Sequence, residues 1–299
     1  MSNYFDKKAT TKFVDYPVRE NDELMSFLTK HVGGSRTKIK QLLSQRMVYV
    51  DKRITTQFNE PLRPGQLVQI ADRKQIHDFR HRLVKIVYED AFIIVVEKAE
   101  GILTNAQPGA SRTQTVKDIL DEYVKRKNRT FSVHTVHRLD RETSGLLLFA
   151  KRRDVQQQFT DHWKELVTDR RYIAVCEGSM EKDSGSITSW LLENKMFVVY
   201  SSMQDNGGKR AVTNYRTLRR ANGYSLIELK LDTGRKNQIR VHMQDLHHSI
   251  AGDRKYGAQT DPAGRICLHA FRLEFTHPIT GERLKFETDY PKSFTDILK

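Results

Sequence analysis

Cysteine is nearly absent from this chain of 299 residues, and Cys176 and Cys267 lack the paired spacing of a zinc site or a small disulfide framework. Both read as structural thiols, buried as small hydrophobes. Long apolar runs are missing too: the longest, around Ile93 to Val96 and Leu146 to Ala150, are strand-sized rather than membrane-sized. With no basic amphipathic helix carrying a strong apolar face either, no membrane partner is expected. Residues 1–15 mix Asp6, Lys7, Lys8 and Lys12 with aromatics and contain no apolar core of the kind a secretory signal needs, so the cytoplasm is the expected address. No metal is expected. The adjacent His247 and His248 would point in different directions on any regular element. Internal repeats and low-complexity tracts are also lacking.

Positive charge, by contrast, is abundant. Lys and Arg number 51 against 37 Asp and Glu, a formal charge of +14 that favours a polyanionic partner, nucleic acid first among them. With 38% hydrophobic residues, the chain can build a real core, and its length suits one large domain plus one small one.

After an irregular leader, Asn21 to Lys30 reads as a helix with Leu24, Phe27 and Leu28 on one face and Asn21 or Asp22 as its cap. Gly33-Gly34 breaks it. Ser35 can cap a second helix, Arg36 to Gln45, with Ile39, Leu42 and Leu43 at helical spacing and Arg36, Lys38 and Lys40 as cations. Met47 to Val50 suggests a strand, Asp51-Lys52 a turn, and Pro61 to Gly65 leads into a last strand, Leu67 to Ile70.

Residues 72–83 form a charged linker with little apolar periodicity. Beyond it, Ile86 to Tyr88, Phe92 to Val96, Leu146 to Phe149, Tyr172 to Cys176, Thr213 to Arg216 and Leu226 to Leu231 are strand candidates. Helices are expected at about Thr115 to Lys125, Val155 to Glu165 and Lys236 to Leu246. Strands and helices without regular alternation predict an α+β domain over residues 84–299.

The segment His137-Arg138-Leu139-Asp140-Arg141-Glu142-Thr143-Ser144-Gly145 runs straight into the apolar Leu146-Leu147-Leu148-Phe149-Ala150. Asp140 is therefore expected on a loop at the rim of a buried sheet, held rigidly yet open to substrate. A lone loop aspartate is more often a cap or turn residue. This string, however, resembles the signature of the RluA-type pseudouridine synthases: Arg-Leu-Asp, two residues, Thr-Ser-Gly, then an apolar strand. Further segments resembling that family follow in order. They are the strand from Tyr172, Leu231-Asp232-Thr233-Gly234-Arg235 with Gln238-Ile239-Arg240-Val241-His242, Gly252-Asp253-Arg254-Lys255-Tyr256-Gly257, Leu268-His269-Ala270, and His277-Pro278 with Gly281-Glu282. The resemblance spans nearly all of residues 84–299 and implies a mixed, mainly antiparallel sheet. It departs at Asn237, where the family usually has His, at Lys236, where it has Thr, and at Lys98-Ala99-Glu100-Gly101, where it has Lys-Pro-x-Gly. Asn can take one hydrogen-bonding role of His but not its proton-donor charge.

Residues 16–71 resemble the small α/β RNA-binding domain named after the fourth protein of the small ribosomal subunit. On that resemblance Arg36, Thr37, Lys38 and Lys40 are candidate phosphate contacts, the alternative being an ordinary solvated helix face.

The reaction implied breaks the bond from the ribose anomeric carbon to a uracil nitrogen, turns the base and rejoins it through a ring carbon. Nothing is oxidised, so no cofactor is needed. An ionised Asp140 can act as nucleophile on sugar or base, or as a base toward the sugar, in a site that excludes water. On the resemblance, Arg235 is the candidate partner of Asp140, with phosphate binding as the alternative. Tyr172 would stack on the uracil and move a proton, unless it is a core strand tyrosine. Arg138 either fills the space left by the flipped nucleotide, holds a flanking phosphate, or simply pairs charge. Ile239 is an apolar pocket wall or a core residue. The expected substrate is RNA, ribosomal from the large subunit before transfer RNA, acted on by a monomer. A non-catalytic RNA-binding or ribosome-assembly protein and a nucleosidase or nucleic-acid glycosylase are the competing readings, and Glu142 is poorly placed to serve the last as a second carboxylate.

Overall fold

The computed structural model describes residues 13–45, 47–51, 53–72, 79–106 and 113–299. Most of the leader and residues 73–78 of the linker fall outside them. The chain divides into two units, one ending at Asp78 and one beginning at Phe79.

In the first unit, β1 (Phe13–Pro17) and β2 (Asp22–Glu23) precede α1 (Leu24–His31) and α2 (Arg36–Ser44). β3 (Val48–Val50), β4 (Arg53–Ile54), β5 (Pro61–Leu62) and β6 (Leu67–Ala71) follow. An antiparallel sheet of order β1-β6-β3-β4 forms, and β2 pairs separately with β5. The apolar stripes of α1 and α2 meet it: Leu24, Phe27, Leu28, Ile39 and Leu43 share one buried cluster with Val48, Val50 and Val68. Ser35 caps α2 as expected, accepting the Lys38 amide. The start of α1 differs from expectation. Glu23 is its N-cap, without a side-chain cap bond. Asp22 is diverted: its carboxylate takes the Glu23 amide and Lys30 Nζ while its backbone pairs with Leu62.

The second unit is built on one sheet. Its elements are β7 (Val84–Glu89), β8 (Ile93–Lys98), α3 (Val116–Lys127), β9 (His134–Thr135), β10 (Ser144–Ala150), α4 (Arg153–Asp161), α5 (Trp163–Leu166) and β11 (Val167–Glu177). Then come β12 (Ser184–Glu193), β13 (Val199–Ser202), β14 (Lys209–Ala221), β15 (Tyr224–Leu231), α6 (Gln238–Asp245), β16 (Leu268–Thr276), β17 (Arg283–Glu287) and α7 (Lys292–Asp296). The strand order is β13-β12-β14-β15-β11-β16-β10-β8-β7, with β17 on β16 and β9 on β10. The sheet is mixed and mainly antiparallel, as expected; β10 and β16 make the parallel join, pairing Ser144 with His269 and Gly145 with Ala270.

Two-residue periodicity explains why β10 reads as an unbroken apolar run. Leu147 and Phe149 enter the cluster on one face, with Ile94, Val96 and Ile173, while Leu146, Leu148 and Ala150 enter that on the other, with Ile93, Phe159 and Phe275. Gly145 is obligatory at the join: its φ is +119° and a Cβ there would lie 2.2 Å from the Ala270 carbonyl oxygen.

Three boundaries are corrected. The unit starts before residue 84, because Phe79 packs edge-on against Tyr123 at 5.1 Å and Leu83 joins the core. The helix expected over Val155 to Glu165 breaks at His162 into α4 and α5. That expected from Lys236 begins at Gln238, behind Asn237 in the left-handed conformation at φ +53°. Asn tolerates this backbone better than most residues. Among the described residues no helix is long and apolar enough to cross a membrane.

Candidate active site

Asp140 lies on the loop entering β10, and the backbone on either side of it is pinned. Thr104 Oγ1 donates to the Leu139 carbonyl at 2.8 Å and accepts the Leu139 amide at 3.2 Å. The Arg141 carbonyl accepts the Gly101 amide at 2.8 Å and Lys98 Nζ at 3.1 Å. Lys98 is fully buried, also donates to the carbonyls of Ala99 and Ile102, and is pulled down to about 8 by that burial. Beyond the loop, Arg265 donates to Ser144 Oγ, which bonds His269 Nδ1 at 2.7 Å. His269 Nε2 in turn meets Thr288 Oγ1. A carboxylate so mounted has a fixed direction.

It faces a pocket of about 360 Å³ whose lining includes Tyr172, Arg138, Ile239 and Arg235. Tyr172 is buried on β11, where an extra residue on β16, Phe271, shifts the register next to it. Ile239, 4% exposed, belongs both to the pocket wall and to the core. Arg138 is exposed at the rim. Burial pushes the Asp140 carboxyl above its ordinary 3.8, against the pull of Arg240, Arg138 and Lys236. Burial also raises the Tyr172 hydroxyl; Arg170 opposes this and Asp140 adds to it.

The expected pairing of Arg235 with Asp140 is not formed. Arg235 is exposed and its Nε donates to the Arg210 carbonyl at 3.2 Å, because the loop before α6 turns its side chain outward. The strongest cationic influence on Asp140 is Arg240. Its guanidinium is held by Asp253 in a bidentate pair at 2.6 and 2.7 Å and lies over the Tyr256 ring at 4.9 Å. Asn237, at one departure from the family pattern, is part of this assembly: its Nδ2 donates to Tyr256 Oη at 2.8 Å and its Oδ1 accepts from Arg240. Lys236, at the other, pairs with Glu193 and sits 5.7 Å from the Phe197 ring.

Further pocket residues escaped the sequence reading. Arg170, two positions before Tyr172 on the same strand face, also lines the pocket. Its guanidinium stacks on Trp163 at 5.0 Å and has no acidic or hydrogen-bonding partner among the described residues. His137 Nε2 accepts the Leu148 amide at 3.2 Å, which leaves the proton on Nδ1, and Nδ1 is buried without a partner. Burial first, then Arg170, pulls His137 down to about 3, so it is neutral.

Arg36, Thr37, Lys38 and Lys40 are all exposed on α2 of the first unit. Both cysteines are free and buried. Among the described residues no group of three or more His, Cys, Asp and Glu gathers as metal ligands would.

Asp140, on its pinned loop, and the buried Tyr172 line one pocket, and residues 92–245 match the RNA pseudouridylate synthase family. The chain belongs to that family. This synthase is 36% identical over 225 residues to the ribosomal large subunit pseudouridine synthase D of Neisseria meningitidis serogroup A, covering 71% of its own length and 60% of the relative's. To the D enzyme of Borreliella burgdorferi it is 32% identical over 283 residues, covering 90% and 80%. In fold it resembles human RNA pseudouridylate synthase domain containing 4, with a TM-score of 0.58 at 22% identity over 71% of this chain and 90% of that one. The synthase is thus an RNA-modifying isomerase with an α+β catalytic fold.

Proposed function

We propose that this synthase converts uridines of large-subunit ribosomal RNA to pseudouridine in the cytoplasm, with Asp140 performing the first chemical step. The observation carrying this reading is the shared pocket of Asp140 and Tyr172, with the backbone at Leu139 and Arg141 pinned on both sides. A flipped uridine enters with its base against the Tyr172 ring. Asp140 then attacks the sugar or the base, or removes a sugar proton; each route needs its carboxylate ionised, and Arg240 favours that form. The base turns, and C5 bonds to C1′ as the bond from Asp140 breaks or the C2′ proton returns; the C5 proton then leaves, with the Tyr172 hydroxyl as its relay, while N1 takes one up. Arg138 and Arg235, exposed at the mouth, hold flanking phosphates, and Ile239 keeps the base in an apolar slot.

Residues 16–71 act as an RNA-binding domain like that of the fourth small-subunit ribosomal protein. Arg36, Thr37, Lys38 and Lys40, exposed together at the start of α2, supply its phosphate contacts. The ribosomal assignment is supported by the names of the two relatives.

Tritium placed on uracil C5 tests the chemistry. Parent protein should release it to water and Asp140→Asn should not, while binding RNA equally well; release by the Asn variant would remove Asp140 from the mechanism. Carbodiimide mapping of pseudouridines in cells with and without the protein tests the substrate. Loss of a transfer-RNA site alone would refute the ribosomal assignment.

A further inference from the structure

Taking Asp140 as the residue that starts the reaction, we propose that Arg170 stabilises the negative charge that appears on the uracil as its bond to the sugar breaks. Arg170 carries a full charge, touches the Trp163 ring, and has no counter-ion among the described residues. The His137 ring, held by the Leu148 amide on its Nε2 and 5.6 Å from Trp163, is neutral and offers Arg170 no counter-charge. A desolvated cation is costly to leave unmet, so the arrangement points to a group that arrives with the substrate.

That group belongs to the base. Phosphates are served by exposed cations outside: the adjoining groove is lined by Arg138, Arg141, Lys236, Arg254 and Lys255. Arg170 stands deeper, two residues from Tyr172 on β11, where the flipped base is proposed to stack. Uracil is neutral on entry but not during reaction. When C1′–N1 breaks, its electron pair stays with the base and spreads over O2 and O4. This holds whether Asp140 forms a bond to C1′ or takes the C2′ proton, and attack on C6 places the same charge on O4. When C5 bonds to C1′ the base is neutral again, and the loss of its C5 proton to water is matched by the uptake of a proton at N1. A cation fixed beside those oxygens interacts most strongly with the state between, the condition for accelerating the step.

The test uses the full chain with Arg170→Gln and Arg170→Lys, and two substrates: RNA tritiated at uracil C5, and the same RNA carrying 5-fluorouridine, whose fluorine makes the departing base a weaker base. Arg170→Gln should slow single-turnover release about 10²–10³-fold with RNA affinity unchanged, and Arg170→Lys should recover part of that loss. The defect should shrink to about tenfold or less for 5-fluorouridine, followed as its disappearance from digested RNA, since a more stable anion needs the cation less. Release within threefold of the parent would overturn the proposal. So would an affinity loss equal to the rate loss with a salt slope lower by about one, the signature of a phosphate contact. A melting temperature well below the parent's would make Arg170 structural and also overturn it. Activity in Asp140→Asn would instead refute the underlying reading, a separate measurement.

Discussion

Replacing Lys98 by Met should loosen the Asp140 loop and destabilise the synthase unit, although it removes a buried charge. Two effects oppose one another. Burial has taken the Lys98 ammonium from 10.5 to about 8, worth about 3 kcal/mol of folding free energy at about 1.4 kcal/mol per tenfold change, and methionine recovers this. Against it stand bonds to the carbonyls of Ala99, Ile102 and Arg141 at 2.9, 2.8 and 3.1 Å. At about 1.5–3 kcal/mol for each charged hydrogen bond, they outweigh the gain and leave a net loss of about 1–6 kcal/mol. Both tryptophans, Trp163 and Trp190, lie beyond residue 79, so their fluorescence in urea follows this unit alone. The midpoint should fall by roughly 1–2 M. pH supplies a second reading. Because the folded-state value is lowered, the unfolded chain binds more protons between about 8 and 10.5, so the parent gains stability as pH rises through that window and Lys98→Met does not. A Met variant as stable as the parent at pH 7, with full tritium release, would refute the clamp.

Asp140→Asn should be inactive yet more stable at pH 7: burial raises the folded-state carboxyl above 3.8, so the parent loses stability as pH rises above that value, and the variant, compared by thermal melts at several pH values, does not. Arg240→Met should cost about 3–5 kcal/mol by stranding fully buried Asp253, whereas exposed Arg235→Met should shift stability by no more than about 0.5 kcal/mol; equal midpoints in urea would contradict the assignment of the structural pair. Gly145→Ala should cost about 3 kcal/mol or more, because its Cβ would collide with the Ala270 carbonyl, and near-parent melting would disprove the tight approach of β10 to β16.

The strands around Asp140 and Tyr172 were legible because each carries a local signal: a continuous apolar run for β10, and a tyrosine opening an apolar stretch in β11. β12 and β16 were not foreseen as strands. Ser184–Glu193 alternates polar and apolar residues too weakly, and β16 was noticed only for Leu268-His269-Ala270. Motif order brought Arg235, Arg240 and Asp253 to attention, but spacing along the chain cannot tell which arginine turns inward. That depends on the left-handed backbone at Asn237 and on Asp253, which reaches Arg240 from a loop thirteen residues later. Arg170 leaves no mark in the sequence, because an unpaired charge is visible only when every possible partner has been given a position.

The parallel join of β10 to β16 has a consequence for the order in which the molecule is made. Asp140 and the strand it introduces come from the middle of the chain, yet that strand is bordered by residues 269 and 270, which leave the ribosome some 120 residues later. At ordinary synthesis rates of about 5–20 residues per second, that is a delay of roughly 6–24 seconds. During it β8 and β9 can pair with β10, while Ser144 and Gly145 wait for their β16 neighbours and Ser144 lacks its histidine. A nascent synthase therefore carries the Asp140 loop for many seconds without the strand that borders it.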